Sequence, residues 1–494
     1  MFRFFQINYE RILVAISLLL FMVSMYSIAA GNYLLTYVTF ILGFTALVVG
    51  YVVLNRAQLF KMVFFFAPLS VSIGIGGDSE IQLPTEPLIG LLTVLLFLYM
   101  FSLRSELKEI FSHPVSLLLL AEIGWMIACT FTSELKLVSL KYILIRVCYI
   151  SVFFVLGTLL MRQEKKPWIF YILYAVGMIV PIINGMIFHA KLGFLQKTSY
   201  VMPQPFFNDH TVYGACIAFL IPAVMAMAFR SKTFIPHPVH RFLVLLLLAL
   251  LLVAEYLSYS RAAWLSLGGA FGLYLLLKMK FSGRAFIISL LLLSTAAWFF
   301  QDTIYRSLSE NNAISNKENL ELQIKSITNI NTDVSNKERL NRWKCAIRMG
   351  EERPVFGFGP RTYKFFYGNY QQRKDMTYTS TFNGTKGHAH SEYLQYWAET
   401  GIPGFCLHVF LYIVVMFKGI NVFQRAREQK NRVFAGMAVL GFTTYFIHGV
   451  FNGFMDDEKM ASLVFISMAV IVYLDLDEKR ERAGQKTIAD ENGN

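Results

Sequence analysis

The sequence predicts an all-α protein threaded through a membrane many times, and three observations carry that expectation. The chain is 55% hydrophobic with a mean hydropathy of +0.50. Only 16% of its residues are charged. Its polar residues gather into one long stretch, Gln301 to Gly401, while most of the remainder falls into apolar runs of about 20 residues, the length a helix needs to cross hydrocarbon. That composition excludes a soluble globular domain. Lipid offers the backbone no hydrogen-bond partners, so each run must satisfy its own N–H and C=O groups as a helix.

The runs centre near residues 21, 43, 69, 96, 123, 149, 178, 220, 249, 270, 292, 410, 441 and 467, which gives roughly twelve to fourteen spans. The run near Met62 to Gly76 and the one near 292 are the weakest, being short or punctuated by glycine. The expected organisation is a transmembrane bundle over 1–300, a large loop over 301–401, C-terminal transmembrane helices over 402–476 and a charged tail over 477–494.

Charge orients the bundle. If the spans alternate, Arg3, Arg11, Arg56, Lys61, Arg104, Lys108, Arg162, Lys165, Lys166, Arg230, Lys232, Arg241, Lys278, Lys280, Arg284, Lys418, Arg425, Arg427, Lys430 and Arg432 fall on one side, and the opposite short loops hold very few cations. By the positive-inside rule both termini are cytoplasmic and the large loop lies outside the cytoplasm. The net charge of +13 is then a topology signal, with membrane lipids and not nucleic acid as its partner. The first run, preceded by Arg3 and Arg11, reads as a retained span and not as a cleaved signal. The cytoplasmic connections are short and contain no G-x-x-x-x-G-K-[ST], which argues against ATP-driven transport by this chain alone. Cys129, Cys148, Cys216 and Cys406 sit in spans and Cys345 stands alone in the loop, so neither an intraloop disulfide nor a zinc spacing is expected.

Within the loop, Asn311 to Asn336 is polar and Asn-rich, and reads as loosely structured. Lys337 to Glu352 carries Leu340, Trp343, Ala346, Ile347 and Met349 at helical spacing and is stopped by Arg353-Pro354 and a Gly357-Phe358-Gly359-Pro360 turn. Tyr363, Phe365, Phe366, Tyr367, Tyr370 and Tyr378 follow, a composition that suits a wall for sugar rings or an aromatic belt at the lipid boundary.

Four groups of residues can carry chemistry. Arg261 opens a span, where it either snorkels to headgroups or binds an anion. Arg339 and Arg342 lie three apart on the predicted loop helix, and arginine's planar fork matches phosphate oxygens at any working pH. His388 and His390 close the loop; a histidine can act as general base near neutral pH, and His390 shares a helical face with Leu394 and Trp397. Glu392 and Glu399 follow, but no third ligand for a metal can be placed. Asp456-Asp457-Glu458, the one compact acidic cluster on the same side, reads as a solvated loop or as salt-bridge partners of the arginines, with a metal site as the further alternative.

Arg-x-x-x-Leu at Arg261 and Leu265, Arg-x-x-x-Trp at Arg339 and Trp343 leading into Gly357-Phe358-Gly359-Pro360, and His390-Ser391-x-x-Leu394 with Glu399-x-Gly401 together resemble the O-antigen ligase and O-antigen polymerase superfamily, over roughly Phe206 to Phe454. The resemblance implies a GT-C-like, metal-independent, inverting glycosyltransferase without a cofactor. Its donor would be an undecaprenyl-diphosphate-linked glycan, and its acceptor lipid A-core or another glycan. It implies a site on the periplasmic face of a bacterial inner membrane, with Arg261 and Arg339 holding the diphosphate and His390 activating the acceptor hydroxyl. Arg342, His388, Glu399 and Tyr363 would line the substrate site. Ser391 stands where the family frequently has Asn, and His388 is an extra histidine beside the base. Ligation, polymerisation of repeat units and protein O-glycosylation all remain open at this level. A lipid-glycan flippase would need charge along a path through the membrane midplane, for which Lys141 and Arg146 are the hints.

Overall fold

The structure, a computed structural model, describes residues 2–31, 35–36, 38–40, 42–43, 56–76, 79–194, 199, 201–230, 237–300, 334–377, 380 and 387–492. Most of the expected span around residue 43, residues 301–333 of the large loop and Tyr378 lie outside the described residues.

Helices α1 (Phe2–Ala29) and α2 (Arg56–Phe66) precede a hairpin of strands β1 (Val71–Gly76) and β2 (Ser79–Leu83). Then come α3 (Thr85–Tyr99), α4 (Arg104–Phe111), α5 (Pro114–Thr132), α6 (Lys136–Glu164) and α7 (Trp168–Lys191). They are followed by α8 (His210–Phe229), α9 (Pro238–Leu257), α10 (Arg261–Lys278) and α11 (Gly283–Phe299). The polar stretch contributes α12 (Val334–Glu352) and the short α13 (Tyr363–Phe366); α14 (Glu392–Arg425), α15 (Gln429–His448) and α16 (Glu458–Asn492) complete the chain.

The chain is an all-α polytopic membrane protein. Seven described helices, α5 to α9, α14 and α16 as far as Arg482, are long and apolar enough to cross a membrane, and eight if the sharply bent pair α3 and α4 is one span. The shorter apolar helices Ala15–Ile28, Ala57–Leu69 and Gly283–Ala296, together with α10 and α15, fall on other expected runs. The run near Met62 to Gly76 departs from expectation. Its helix stops at Phe66, and beyond a turn at Ala67–Leu69 the chain pairs as a hairpin with Val71 opposite Leu83 and Ile73 opposite Ile81. Alternating β-branched residues favour a strand, and Gly74 and Gly76 weaken a helix.

Burial separates the centre of the bundle from its rim. The α16 span is 94% buried and α8 78%, whereas α5 and α9 are each 33% buried and turn their remaining apolar surface outward. α16 is apolar on every side from Met460 to Tyr473, as a helix enclosed by other helices must be. Close approach near the centre depends on small residues: at Gly441 of α15 a Cβ would lie 3.0 Å from the carbonyl oxygen of Phe219 in α8.

Charge at depth is paired across helices. Arg146 of α6 is buried, donates from Nη2 to the Tyr396 hydroxyl at 2.9 Å and from Nη1 to the Met455 carbonyl at 3.4 Å, and lies 3.9 Å from Glu122 of α5. Glu122 also meets His408 Nδ1 of α14 at 2.7 Å, and the His408 ring stacks on Tyr396 with centroids 3.7 Å apart. Arg146 therefore ties α5, α6, α14 and the loop after α15 together, while Lys141 is exposed.

α14 is broken where it leaves the polar lobe. Gly401 has φ 69° and ψ −173°, and Pro403 has no N–H to give to the Glu399 carbonyl. The freed groups find partners in the turn after α12: Phe358 N–H donates to the Ala398 carbonyl at 3.1 Å, Gly359 N–H to the Glu399 carbonyl at 2.8 Å, and Ile402 N–H to the Pro354 carbonyl at 2.7 Å. Trp125 of α5 donates to the Thr400 carbonyl at 2.8 Å and stacks on Phe356. The break thus docks the lobe onto the membrane helices.

Candidate active site

The lobe has a small core of its own. Arg342, Cys345, Ala346 and Met349 share the buried face of α12, at the spacing that puts residues on one side of a helix, and Cys345, Ala346 and Met349 pack with Phe358, Tyr363, Tyr367, Ala389 and Ala398. Tyr363 is inside this core: its ring stacks on Tyr367 at 5.3 Å and its hydroxyl donates to the Arg342 carbonyl at 2.8 Å. Glu399 is also turned inward. Its carboxylate accepts the backbone N–H groups of Arg361 and Tyr363 at 2.8 and 3.1 Å and the side chain of Gln395 at 3.2 Å, which holds the Gly357–Pro360 turn against α14.

Arg342 reaches from this core toward the histidines. Its guanidinium lies over the Tyr367 ring at 3.9 Å, its Nε donates to Glu338 at 2.7 Å, and its Nη1 is buried without a hydrogen-bond partner. Gly387, with φ +127°, lets the histidine loop run against it: a Cβ there would lie 2.5 Å from Nη1. Arg339, one turn away, is half-buried.

His388 and His390 are brought together, with ring centroids 4.3 Å apart. The His390 backbone is left-handed, φ +51°; its N–H donates to His388 Nδ1 at 3.1 Å, and its carbonyl accepts Trp343 Nε1 at 2.9 Å. Ser391 then caps α14, its hydroxyl accepting the Leu394 N–H at 3.4 Å, a role serine fills as well as asparagine does. Both rings are half-buried. Burial, followed by the charges of Arg339 and Arg342, lowers His390 to about 4, against the opposing pull of Asn452 and Asp209. Burial, then His390, Arg361 and Arg342, holds His388 well below the usual histidine range. Both imidazoles are therefore neutral at pH 7 and each has a lone pair.

Three residues of this constellation were not picked out from the sequence. His448, the last residue of α15, and Asn452 in the following loop are buried, and Asn452 lies between His390 Nδ1 at 3.4 Å and His448 Nε2 at 3.1 Å. Asp209 caps α8 by accepting the Thr211 N–H at 2.8 Å. Its partial burial favours the neutral acid, but His210, 3.1 Å away, outweighs that and holds Asp209 below the usual carboxylate range. A titratable residue four places from a second polar one at the end of an apolar helix was the available signal for His448.

Arg261 is half-buried at the first residue of α10. The turn before it packs on α8, a Cβ at Gly214 lying 2.9 Å from Ser260 Cβ, so Arg261 stands at the end of the bundle that carries Asp209. The acidic cluster is taken up by neighbouring cations and N–H groups: Asp456 pairs with Arg361, while Asp457 accepts the Lys459 backbone N–H at 2.9 Å and Glu458 pairs with Lys459 Nζ at 3.0 Å. Among the described residues no group of three His, Cys, Asp or Glu side chains could hold a metal ion.

Residues 246–409 match a protein family described as O-Antigen ligase, a segment that contains Arg261, Arg339, Arg342, Tyr363, His388, His390 and Glu399 and ends before His448 and Asn452. An uncharacterized protein of Haemophilus influenzae is 26% identical over 168 residues, which cover 34% of this chain and 41% of that protein. The chain thus spans about two fifths of the length of the curated relative it matches. Over residues 246–409 the chain is therefore similar to the O-antigen ligase family.

Proposed function

We propose that the protein is a glycosyltransferase of a Gram-negative inner membrane that moves a polysaccharide from undecaprenyl diphosphate to lipid A-core at the periplasmic face. The observation that carries this reading is the convergence of Arg339 and Arg342 on a neutral His390, within the family's own segment. His390 takes the proton of the acceptor hydroxyl; the resulting oxygen nucleophile bonds to the anomeric carbon from the face opposite the diphosphate, and undecaprenyl diphosphate leaves with the bonding electrons. Diphosphate departs without a general acid, so the chemistry needs fixed positive charge where negative charge grows, which Arg261 and Arg339 supply with Arg342 behind them. Tyr363, Glu399 and Trp343 act indirectly, by shaping the lobe that presents Arg342 and His390.

Loss of the protein from its native host tests the reading. Full-length glycan should accumulate on the lipid carrier while lipid A-core stays unmodified; single repeat units on lipid A-core would instead make the protein a polymerase. Transfer by the purified protein should persist in EDTA. Loss of activity that magnesium or manganese restores would overturn metal independence and direct attention to Asp456, Asp457 and Glu458.

A further inference from the structure

We infer that Asn452 is a positioning residue that selects Nε2 of His390 as the basic nitrogen, acting as a link between two imidazoles. Its side chain joins His390 of the lobe to His448 of the membrane bundle, at 3.4 Å and 3.1 Å. A primary amide cannot play one role at both ends, because its oxygen only accepts and its nitrogen only donates. Oδ1 faces His390 Nδ1, so that nitrogen carries hydrogen and the lone pair is left on Nε2. Nδ2 faces His448 Nε2, which must therefore accept, and His448 stays neutral while His390 cycles.

The opposite amide orientation would serve a base poorly. Nδ2–H would then point at His390 Nδ1, the proton would sit on Nε2, and uptake of a second proton would break the contact. With Oδ1 toward His390, the ring gains a proton at Nε2 and keeps its bond at Nδ1, and the carbonyl dipole favours the imidazolium that forms. This is the task an orienting group performs behind a catalytic histidine. The remaining groups around His390 cannot substitute for it. Arg339 and Arg342 of α12 oppose protonation, His388 gives its Nδ1 to the His390 backbone, and Asp209 acts through its charge. Asn452 is also well anchored, being buried with its N–H donated to the His448 carbonyl at 3.1 Å.

The inference rests on the reading of His390 as base, and the test separates the two. Full-length protein labelled with nitrogen-15 at histidine is reconstituted in lipid nanodiscs, and the His390 resonance is assigned by its loss in His390→Gln. The expected result is an Nδ1–H tautomer for His390. Asn452→Asp, nearly the same shape, should move the His390 titration and the acid limb of kcat upward by about one to three pH units, as an added carboxylate at hydrogen-bond distance does. Asn452→Ala should release the single tautomer and lower kcat by about tenfold to a hundredfold, with KM little changed. An Nε2–H tautomer in the parent protein, or an Asn452→Asp variant whose titration and kcat limb stay in place, overturns the inference. Absence of transfer by a parent protein that shows the expected tautomer and shift overturns the functional reading alone.

Discussion

Replacing His390 with alanine should lower turnover by about 100-fold to 10,000-fold, the usual contribution of a positioned general base, while donor affinity stays nearly intact. On the proposed mechanism the loss falls on kcat, because the imidazole would act on the acceptor proton and not on the diphosphate. Arg261→Ala should differ by damaging donor binding and turnover together. The pH profile adds a signed check. A histidine lowered to about 4 is fully deprotonated at neutral pH, so kcat/KM should be level there and fall only as pH drops through about 4. On the same reading, bound diphosphate would offset the arginines that depress His390, so the acid limb of kcat, which reports the complex, should lie at higher pH than that of kcat/KM. Near-normal turnover in His390→Ala combined with collapse in His388→Ala would move the base two residues upstream. Normal turnover in both would leave substrate proximity to carry the reaction.

Gly401→Ala should be strongly destabilising. The backbone there, φ 69° and ψ −173°, is open essentially to glycine alone, and a Cβ would lie 2.1 Å from the Val355 carbonyl oxygen. Strain and overpacking together should cost about 2 to 6 kcal/mol. The measurement is the thermal unfolding midpoint in detergent, with Gly268→Ala as the matched control, since nothing lies within 4 Å of a Cβ at that helical position. Equal midpoints for the two variants would mean that the turn after α12 does not dock on the break in α14.

The parts of the site that could be read from the sequence are those whose signal is local. The helix of Lys337 to Glu352 and its stop at Arg353-Pro354 follow from spacing and proline, and both are present in the fold. Tyr363 and Glu399 show the limit. An aromatic in a polar loop and an acid beside a histidine motif suit substrate contact equally well on sequence grounds, yet the ring is enclosed in the lobe's core and the carboxylate is occupied by backbone N–H groups. Asn452 was invisible for another reason. A polar residue in a short loop has no pattern of its own, and its importance lies in the two imidazoles that the packing of α14 against α15 sets on either side of it. The hairpin at Val71–Leu83 was missed because apolar runs of that length suit a buried strand and a short helix alike.

The exchange of backbone partners at Gly401 sets an order on synthesis. When Phe358 and Gly359 leave the ribosome, the Ala398 and Glu399 carbonyls that will receive their N–H groups have not been made. Those carbonyls become available only as α14 begins to thread into lipid, and the N–H groups of the turn stay with water until then. The hydrogen bonds that hold the turn against the break therefore form only after Glu399 has been synthesised. A nascent chain that stops short of Ala398 would contain Arg261, Arg339 and His390 and would lack the carbonyls on which the turn docks.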